Sequence, residues 1–169
     1  EEGEAVSARA LASAVPRVDS VTTINLHEGN VLDDWFDAPD RRDLDATSAL
    51  ADALDVSAPL VVAPDEGARS LASNLAELLG GDADHLVKER ISGDEVHMQT
   101  RELDADGCDA VLVDDMIATG GTMSEAVDVL RDSGARSVRV ACVHPVLARN
   151  AVLRLYSAGV ERVVATDTL

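Results

Sequence analysis

Val111-Leu112-Val113-Asp114-Asp115-Met116-Ile117-Ala118-Thr119-Gly120-Gly121-Thr122-Met123 is the stretch whose reading decides the fold. It runs as an apolar strand, two carboxylates at the strand's end, a loop of small residues, and the start of a helix. Backbone N–H groups of residues 118–122 can wrap a phosphate, and a helix beginning at Gly121 or Thr122 adds the positive end of its dipole. Gly120 and Gly121 let the backbone approach an anion closely. Asp114 and Asp115 stand where hydroxyl donors or a hydrated metal would lie. Adjacent strand residues point to opposite faces, so both acids serve one ligand only if the chain leaves the strand there. A phosphorylated sugar is the ligand this order of parts suits.

The flanking segments keep the same alternation. Downstream, Met123, Ala126, Val127 and Leu130 share one helical face, closed by Gly134. Residues 138–143 read as a strand, then Ala148, Ala151, Val152 and Leu155 as a helical face, and residues 160–165 as a last strand after Gly159. Upstream, residues 59–64 read as a short buried strand. Ala68, Leu71, Ala72, Leu75 and Leu79 then keep helical spacing up to Gly80-Gly81. Residues 85–90 and 95–100 read as two strands joined across Ser92-Gly93-Asp94, a small hairpin. Nearer the start, residues 4–15 read as an Ala-rich helix ended by Pro16, residues 21–26 as a strand, 31–36 as a helical turn and 44–54 as a helix. Such alternation predicts an α/β fold: a mostly parallel sheet flanked by helices on both faces, with ligands at the carboxyl ends of its strands.

Composition sets bounds around this reading. The 169 residues are 46% hydrophobic but only 2% aromatic, so a core must be built from Val, Leu, Ile and Ala. Fourteen basic against 32 acidic residues give a net charge of −18. That balance opposes nucleic-acid binding, which needs a cationic footprint. It fits a folded protein with an acidic shell, as in salt-accumulating halophiles, where screening lowers the cost of self-repulsion. No apolar run has the length of a membrane span, so no membrane partner is expected. Cys108 and Cys142 lack paired spacing and read as buried free thiols in a reducing compartment, with cytosol the default.

Further clusters fall at strand ends. His27 closes the strand Thr23-Ile24-Asn25-Leu26, and Pro64-Asp65-Glu66-Gly67 follows the next one, on its own a turn and helix cap. Lys88 and Arg90 share a strand, and Lys88 is the only lysine of the chain. Two cations on one strand face can neutralise charge on a transferring group, or guard a solvated edge. His144, after Cys142, lacks the ligand count of a metal site and reads as structural. His85 and His97 read as surface residues.

Together these clusters resemble the ribose-phosphate pyrophosphokinase (PRPP synthase) family, whose sugar-phosphate loop is shared with type I phosphoribosyltransferases. The resemblance covers the chain from Gly3 to Thr168, with the clusters in the family's order. It implies a type I phosphoribosyltransferase-like fold with a small hairpin, or flag. It implies that Asp114 and Asp115 bind ribose hydroxyls and that Ala118, Thr119, Gly120, Gly121 and Thr122 bind the 5-phosphate. The family pattern often has Asp at the position of Ala118, so one polar contact is lost. His27 matches the His of the family's Asp-Leu-His, which coordinates the Mg²⁺ of ATP, although Asn25 replaces its Asp. Asp65 matches the second group near that metal. Lys88 falls on the family's catalytic lysine, with Arg90 beside it reaching both the transferred group and ribose 5-phosphate. Thr166-Asp167-Thr168 matches a stretch near the sugar or nucleotide site.

The activity so implied is transfer of pyrophosphate from Mg·ATP to the C1 hydroxyl of ribose 5-phosphate, in a homo-oligomer. Residues 1–40 are expected to be the tail of an N-terminal domain and residues 41–169 most of a C-terminal one. The fragment alone is expected to be weak or inactive. The alternatives are a phosphoribosyltransferase that uses the same loop to consume PRPP, and a non-catalytic PRPP-sensing or synthase-associated subunit.

Overall fold

The computed structural model describes residues 7–27, 30–92, 95–99 and 103–169, the side chains of 7–8 and 88–99 excepted. Two compact units make up the chain, Glu1–Asp45 and Ala46–Leu169. The first contains α1 (Ser7–Ala14), β1 (Ser20–Ile24), α2 (Val31–Trp35) and β2 (Asp40–Leu44), with β1 and β2 paired in parallel from Ser20↔Asp40 to Ile24↔Leu44. The start of the Ala-rich helix, and Gly3 in the family-like segment, lie outside the described residues. β2 is a strand the sequence did not disclose. Asp40-Arg41-Arg42-Asp43-Leu44 is almost wholly charged and exposed, so only its backbone pairing with β1 makes it a strand. The helix expected from residue 44 therefore starts later, at Thr47.

The second unit contains α3 (Thr47–Leu54), β3 (Leu60–Ala63), a 3₁₀ turn (Glu66–Ala68), α4 (Arg69–Leu79), β4 (Asp82–His85), β5 (Val87–Ser92), β6 (Glu95–Gln99), β7 (Asp109–Met116), α5 (Gly121–Asp132), β8 (Ser137–His144), α6 (Ala151–Ser157) and β9 (Arg162–Ala165). Five strands form one parallel sheet in the order β4-β3-β7-β8-β9. β4 was also unforeseen: Asp82-Ala83-Asp84-His85 is a polar edge strand, fixed by pairing with β3 rather than by apolar pattern. β5 and β6 form the expected antiparallel hairpin, with a register shift between Arg90 and Ser92; Gly93 and Asp94 of its turn lie outside the described residues.

The central strands are buried on both faces, as continuous apolar runs require. Val62, Leu112, Val140 and Cys142 pack with Met123, Ala126, Val127 and Leu130 of α5 and Leu155 of α6. α3 and α4 pack on each other, α4 against β3, β4 and β7 and α3 against β8 and β9. At the amino end of the central strands, Arg136 and Ser137 donate to the Asp109 carboxylate, Arg136 through both Nε and Nη2. These bonds hold Asp109 at about 2, below the usual carboxylate value. Such a clamp ties β7 to β8 at the end away from the loop that follows Met116. None of the described helices is long and apolar enough to cross a membrane.

Candidate functional site

β7 outruns its neighbour. Its register with β3 ends at Val62↔Leu112, whereas its register with β8 continues to Met116↔His144. The carboxyl end of β7 thus projects beyond β3, carrying Asp114 and Asp115 in half-buried positions. β7 runs on through the acid pair to Met116, and the carboxylates of Asp114 and Asp115 stay within interacting distance of each other. Asp114 and Met116, together with residues 117–123, line a cavity of about 150 Å³; Asp115 is not part of that lining. The backbone N–H of Asp115 instead donates to Asp114 Oδ1 at 2.9 Å.

Asp114 is the electrostatic centre of the site. Burial, then the carboxylates of Asp115 and Asp65, push its pKa up to about 7 against the opposing Asp115 N–H bond. Asp65 follows β3 and caps the 3₁₀ turn, its Oδ1 accepting from the Gly67 N–H at 3.1 Å. The structure therefore brings Asp65, Asp114 and Asp115 to neighbouring strand ends. Burial, followed by Asp114, also raises the Cys142 thiol to about 12, so this buried residue is an un-ionised core group.

The loop after β7 presents backbone donors that have no partner among the described residues. No N–H from Ala118 to Met123 donates to another described protein group, whereas the carbonyls of Ile117 and Ala118 accept from Leu147 (2.9 Å) and Ala148 (2.8 Å). These carbonyls face residues 147 and 148, and the N–H groups of the cavity-lining residues 118–123 have no partner among the described residues. These include the first donors of α5, which begins at Gly121 and has no side-chain cap. Unsatisfied N–H groups at a helix mouth form an anion site.

Gly120 holds the bend with φ +72°, and α6 presses on both glycines. A Cβ at Gly120 would stand 3.4 Å from the Ala151 Cβ, and one at Gly121 3.3 Å from Arg154 Nη1. Gly120→Ala is expected to cost about 1–2 kcal/mol through the left-handed conformation alone. Thermal unfolding should show this as a fall of roughly 2–8 °C in Tm, with weaker anion binding alongside.

The remaining candidates divide by unit and by element. β5 places Lys88 opposite Met98 and Arg90 opposite Val96 in backbone register; their side chains lie outside the described residues. His27 is exposed just after β1 in the first unit, where Asn25, at φ +43°, donates to Asp45 Oδ1 at 3.3 Å. The first unit also holds a larger cavity, about 250 Å³, against Trp35 and Phe36, but none of the sequence-derived site residues line it.

Two histidines gain partners that sequence could not supply. His85 is not a surface residue: its side chain is 17% exposed and lies 3.3 Å from Glu66 and 3.6 Å from Asp84. His144 Nδ1 lies 2.9 Å from Thr168 Oγ1, and the hydroxyls of Thr166 and Thr168 donate to the Val143 carbonyl, fastening the last residues to the end of β8.

Among the described residues no group of three or more His, Cys, Asp or Glu side chains converges as a cage for a metal ion. A sparse set of carboxylates at strand ends instead suits Mg²⁺, which keeps several waters and takes phosphate oxygens as ligands. The raised pKa of Asp114 marks an excess of negative charge that a bound cation would relieve.

A family model described as Phosphoribosyl transferase domain matches residues 45–164. Over its whole length the chain is 51% identical to the ribose-phosphate pyrophosphokinase of Methanosarcina mazei, covering 57% of that protein. It is 45% identical to the ribose-phosphate pyrophosphokinase of Halobacterium salinarum, covering 60% of it. Its fold is similar to that of phosphoribosylpyrophosphate synthetase from Mycobacterium smegmatis, with a TM-score of 0.81 and 29% identity over 99% of this chain and 55% of that one. The chain thus spans less than two thirds of the length of these relatives.

Proposed function

The chain belongs to the phosphoribosyl transferase domain family, and on that premise we propose that it is the ribose 5-phosphate-binding part of a ribose-phosphate diphosphokinase. One observation carries the proposal: the unpartnered N–H run of residues 118–123, in one cavity with a half-buried Asp114. The N–H groups take the 5-phosphate, and Asp114 and Asp115 accept hydrogen bonds from ribose hydroxyls. So held, the sugar's C1 hydroxyl is aligned with the β-phosphorus of ATP for in-line attack, with AMP leaving. Positioning and charge neutralisation are what such a transfer asks of a protein.

Lys88 and Arg90 supply positive charge to the transferred pyrophosphoryl group, and Arg90 also meets the sugar phosphate. His27 in the first unit and Asp65 in the second are each candidate ligands for Mg²⁺, which when bound neutralises charge on the phosphate oxygens. Relatives with the same named activity are longer than this chain. The adenine-binding part, and the second copy of a homo-oligomer, are placed outside these residues in this reading.

Calorimetry with ribose 5-phosphate, PRPP and Mg·ATP, beside a coupled assay of AMP release in high salt, tests it. The chain is expected to bind ribose 5-phosphate while releasing little AMP. Nucleobase-dependent release of pyrophosphate would assign it instead to the phosphoribosyltransferases. Failure to bind either sugar phosphate would remove the proposal altogether.

A further inference from the structure

Between Asp132 and Glu161 the chain has no acidic residue, although it carries 32 acids elsewhere, and the run contains Arg136, Arg139, Arg149 and Arg154. Two of these arginines have local work: Arg136 pairs with Asp109, and Arg139 donates to Ser137 Oγ at 3.2 Å. No hydrogen bond or ion pair to a described residue engages the Arg154 guanidinium. Its position is nevertheless defined. Nη1 lies 3.3 Å from where a Gly121 Cβ would stand, and Thr119 Oγ1 lies 3.8 Å from the same point. Helical Cβ atoms lean toward the N-terminus, so this point is on the rim of the first turn of α5, where the unpartnered N–H groups open.

The segment that delivers Arg154 is held under backbone strain. Leu147, Arg149 and Asn150 all have positive φ, at 46°, 53° and 63°. The N–H groups of Leu147 and Ala148 in that segment bond the loop carbonyls at Ile117 and Ala118. Strain of this kind persists only where surrounding contacts enforce it. Here it seats the start of α6 on Gly120 through Ala151 and brings Arg154, one turn later, over Gly121. Residues 117–123 contain no cation of their own, and Asp114 and Asp115 lie directly before them. A phosphate dianion arriving at a protein of charge −18 meets repulsion that amide dipoles alone offset only in part.

We propose that Arg154 is a sugar-phosphate ligand: its guanidinium closes the open side of the loop and binds a phosphate oxygen beside Gly121 and Thr119. The proposal rests on the reading of residues 118–122 as the 5-phosphate cradle. It explains why the acid-free run lies here, since acids on this face would compete with the anion for Arg154. It also gives Gly121 a second role, because a side chain there would push the guanidinium aside.

Ribose 5-phosphate and, separately, inorganic phosphate are titrated calorimetrically into the wild-type chain, R154Q, R154K and R162Q in concentrated KCl. Arg162 opens β9 at the amino end of the sheet, away from the loop, and serves as the control. A charge-assisted contact of this type predicts that R154Q weakens both ligands about tenfold or more, with R154K recovering part of the loss. R162Q should remain within twofold of wild type, and the melting temperatures should agree. Wild-type affinity for phosphate should also fall more steeply with added KCl than that of R154Q, which a purely structural arginine would not produce. If R154Q loses its fold, R154M keeps the aliphatic stem and takes its place. Wild-type-like affinity in the neutral variant, with the wild-type chain binding normally, overturns the assignment of Arg154 alone. No binding by the wild-type chain overturns the cradle and this proposal together.

Discussion

Asp114→Asn is expected to make the protein more stable above pH 7 while removing its hold on ribose 5-phosphate. The folded-state pKa of Asp114 is raised from 3.8 to about 7, with burial the leading cause. A raised carboxylate pKa means that the folded state retains a proton which the unfolded chain has already lost. Stability therefore falls as pH rises from about 4 to 7, and the whole penalty is present above that window. About three units correspond to up to about 4 kcal/mol, which the neutral amide relieves. Thermal unfolding at pH 8 should show a clear rise in Tm for the variant, and at pH 3 almost none, since the wild-type side chain is then protonated in the folded state and mostly protonated in the unfolded chain. Calorimetry at pH 8 should show a loss of ribose 5-phosphate affinity of about tenfold or more, because an amide cannot accept ribose hydroxyls as a carboxylate does. An unchanged Tm at both pH values would mean that Asp114 is not destabilised by its surroundings. Unchanged affinity would remove it from the sugar site. A gain in stability on deleting a binding group is the usual mark of a site that stores repulsion for a ligand to relieve.

If the proposed function holds, Lys88→Ala should lower the AMP-releasing turnover of any longer protein that contains this chain by about 10²–10³-fold, the typical loss when one preorganised donor to a developing charge is removed. Ribose 5-phosphate affinity should change little, since the cradle is built from residues 114–123 on a different element. Two features single out Lys88. It is the only lysine in a chain that otherwise uses arginine, and the proposed function sets it against the transferring group. The coupled AMP assay reads turnover, and calorimetry reads the sugar. More than a tenth of wild-type turnover in the variant would exclude a catalytic role. A matching fall in sugar affinity would mark Lys88 as a binding residue instead.

What the sequence disclosed was local in origin. The strand, acid pair, glycine turn and helix at residues 111–123 follow one another along the chain, and each declares itself by a short-range rule. β7 and α5 accordingly lie close to where pattern put them. What it hid depends on partners distant in sequence. β2 and β4 are polar segments that become strands only by pairing with β1 and β3. His85 acquires Glu66 only because β4 lies beside β3, which leads into the 3₁₀ turn. The extension of β7 past β3 carries Asp114 and Asp115 beyond the neighbouring strand, a consequence of strand length that apolar pattern does not register.

Arg154 shows the same limit at the site itself. On sequence it is one more charged residue on an exposed helix face, near a C-terminus where cations are ordinarily favourable. Its place over Gly121 emerges only when α6 is packed on the loop. One signal was available in the chain, the absence of acids between Asp132 and Glu161. In a protein otherwise saturated with carboxylates, a gap in acid is as informative as a motif.

Backbone amide chemical shifts of the ¹⁵N-labelled chain, followed while ribose 5-phosphate is added in concentrated KCl, test most directly whether this is a sugar-phosphate cradle. The N–H signals of residues 118–122 should move the furthest and saturate together, with Asp115 following and the amino ends of the strands unmoved. Saturating shifts confined to other residues, or no saturating shift at all, would contradict it.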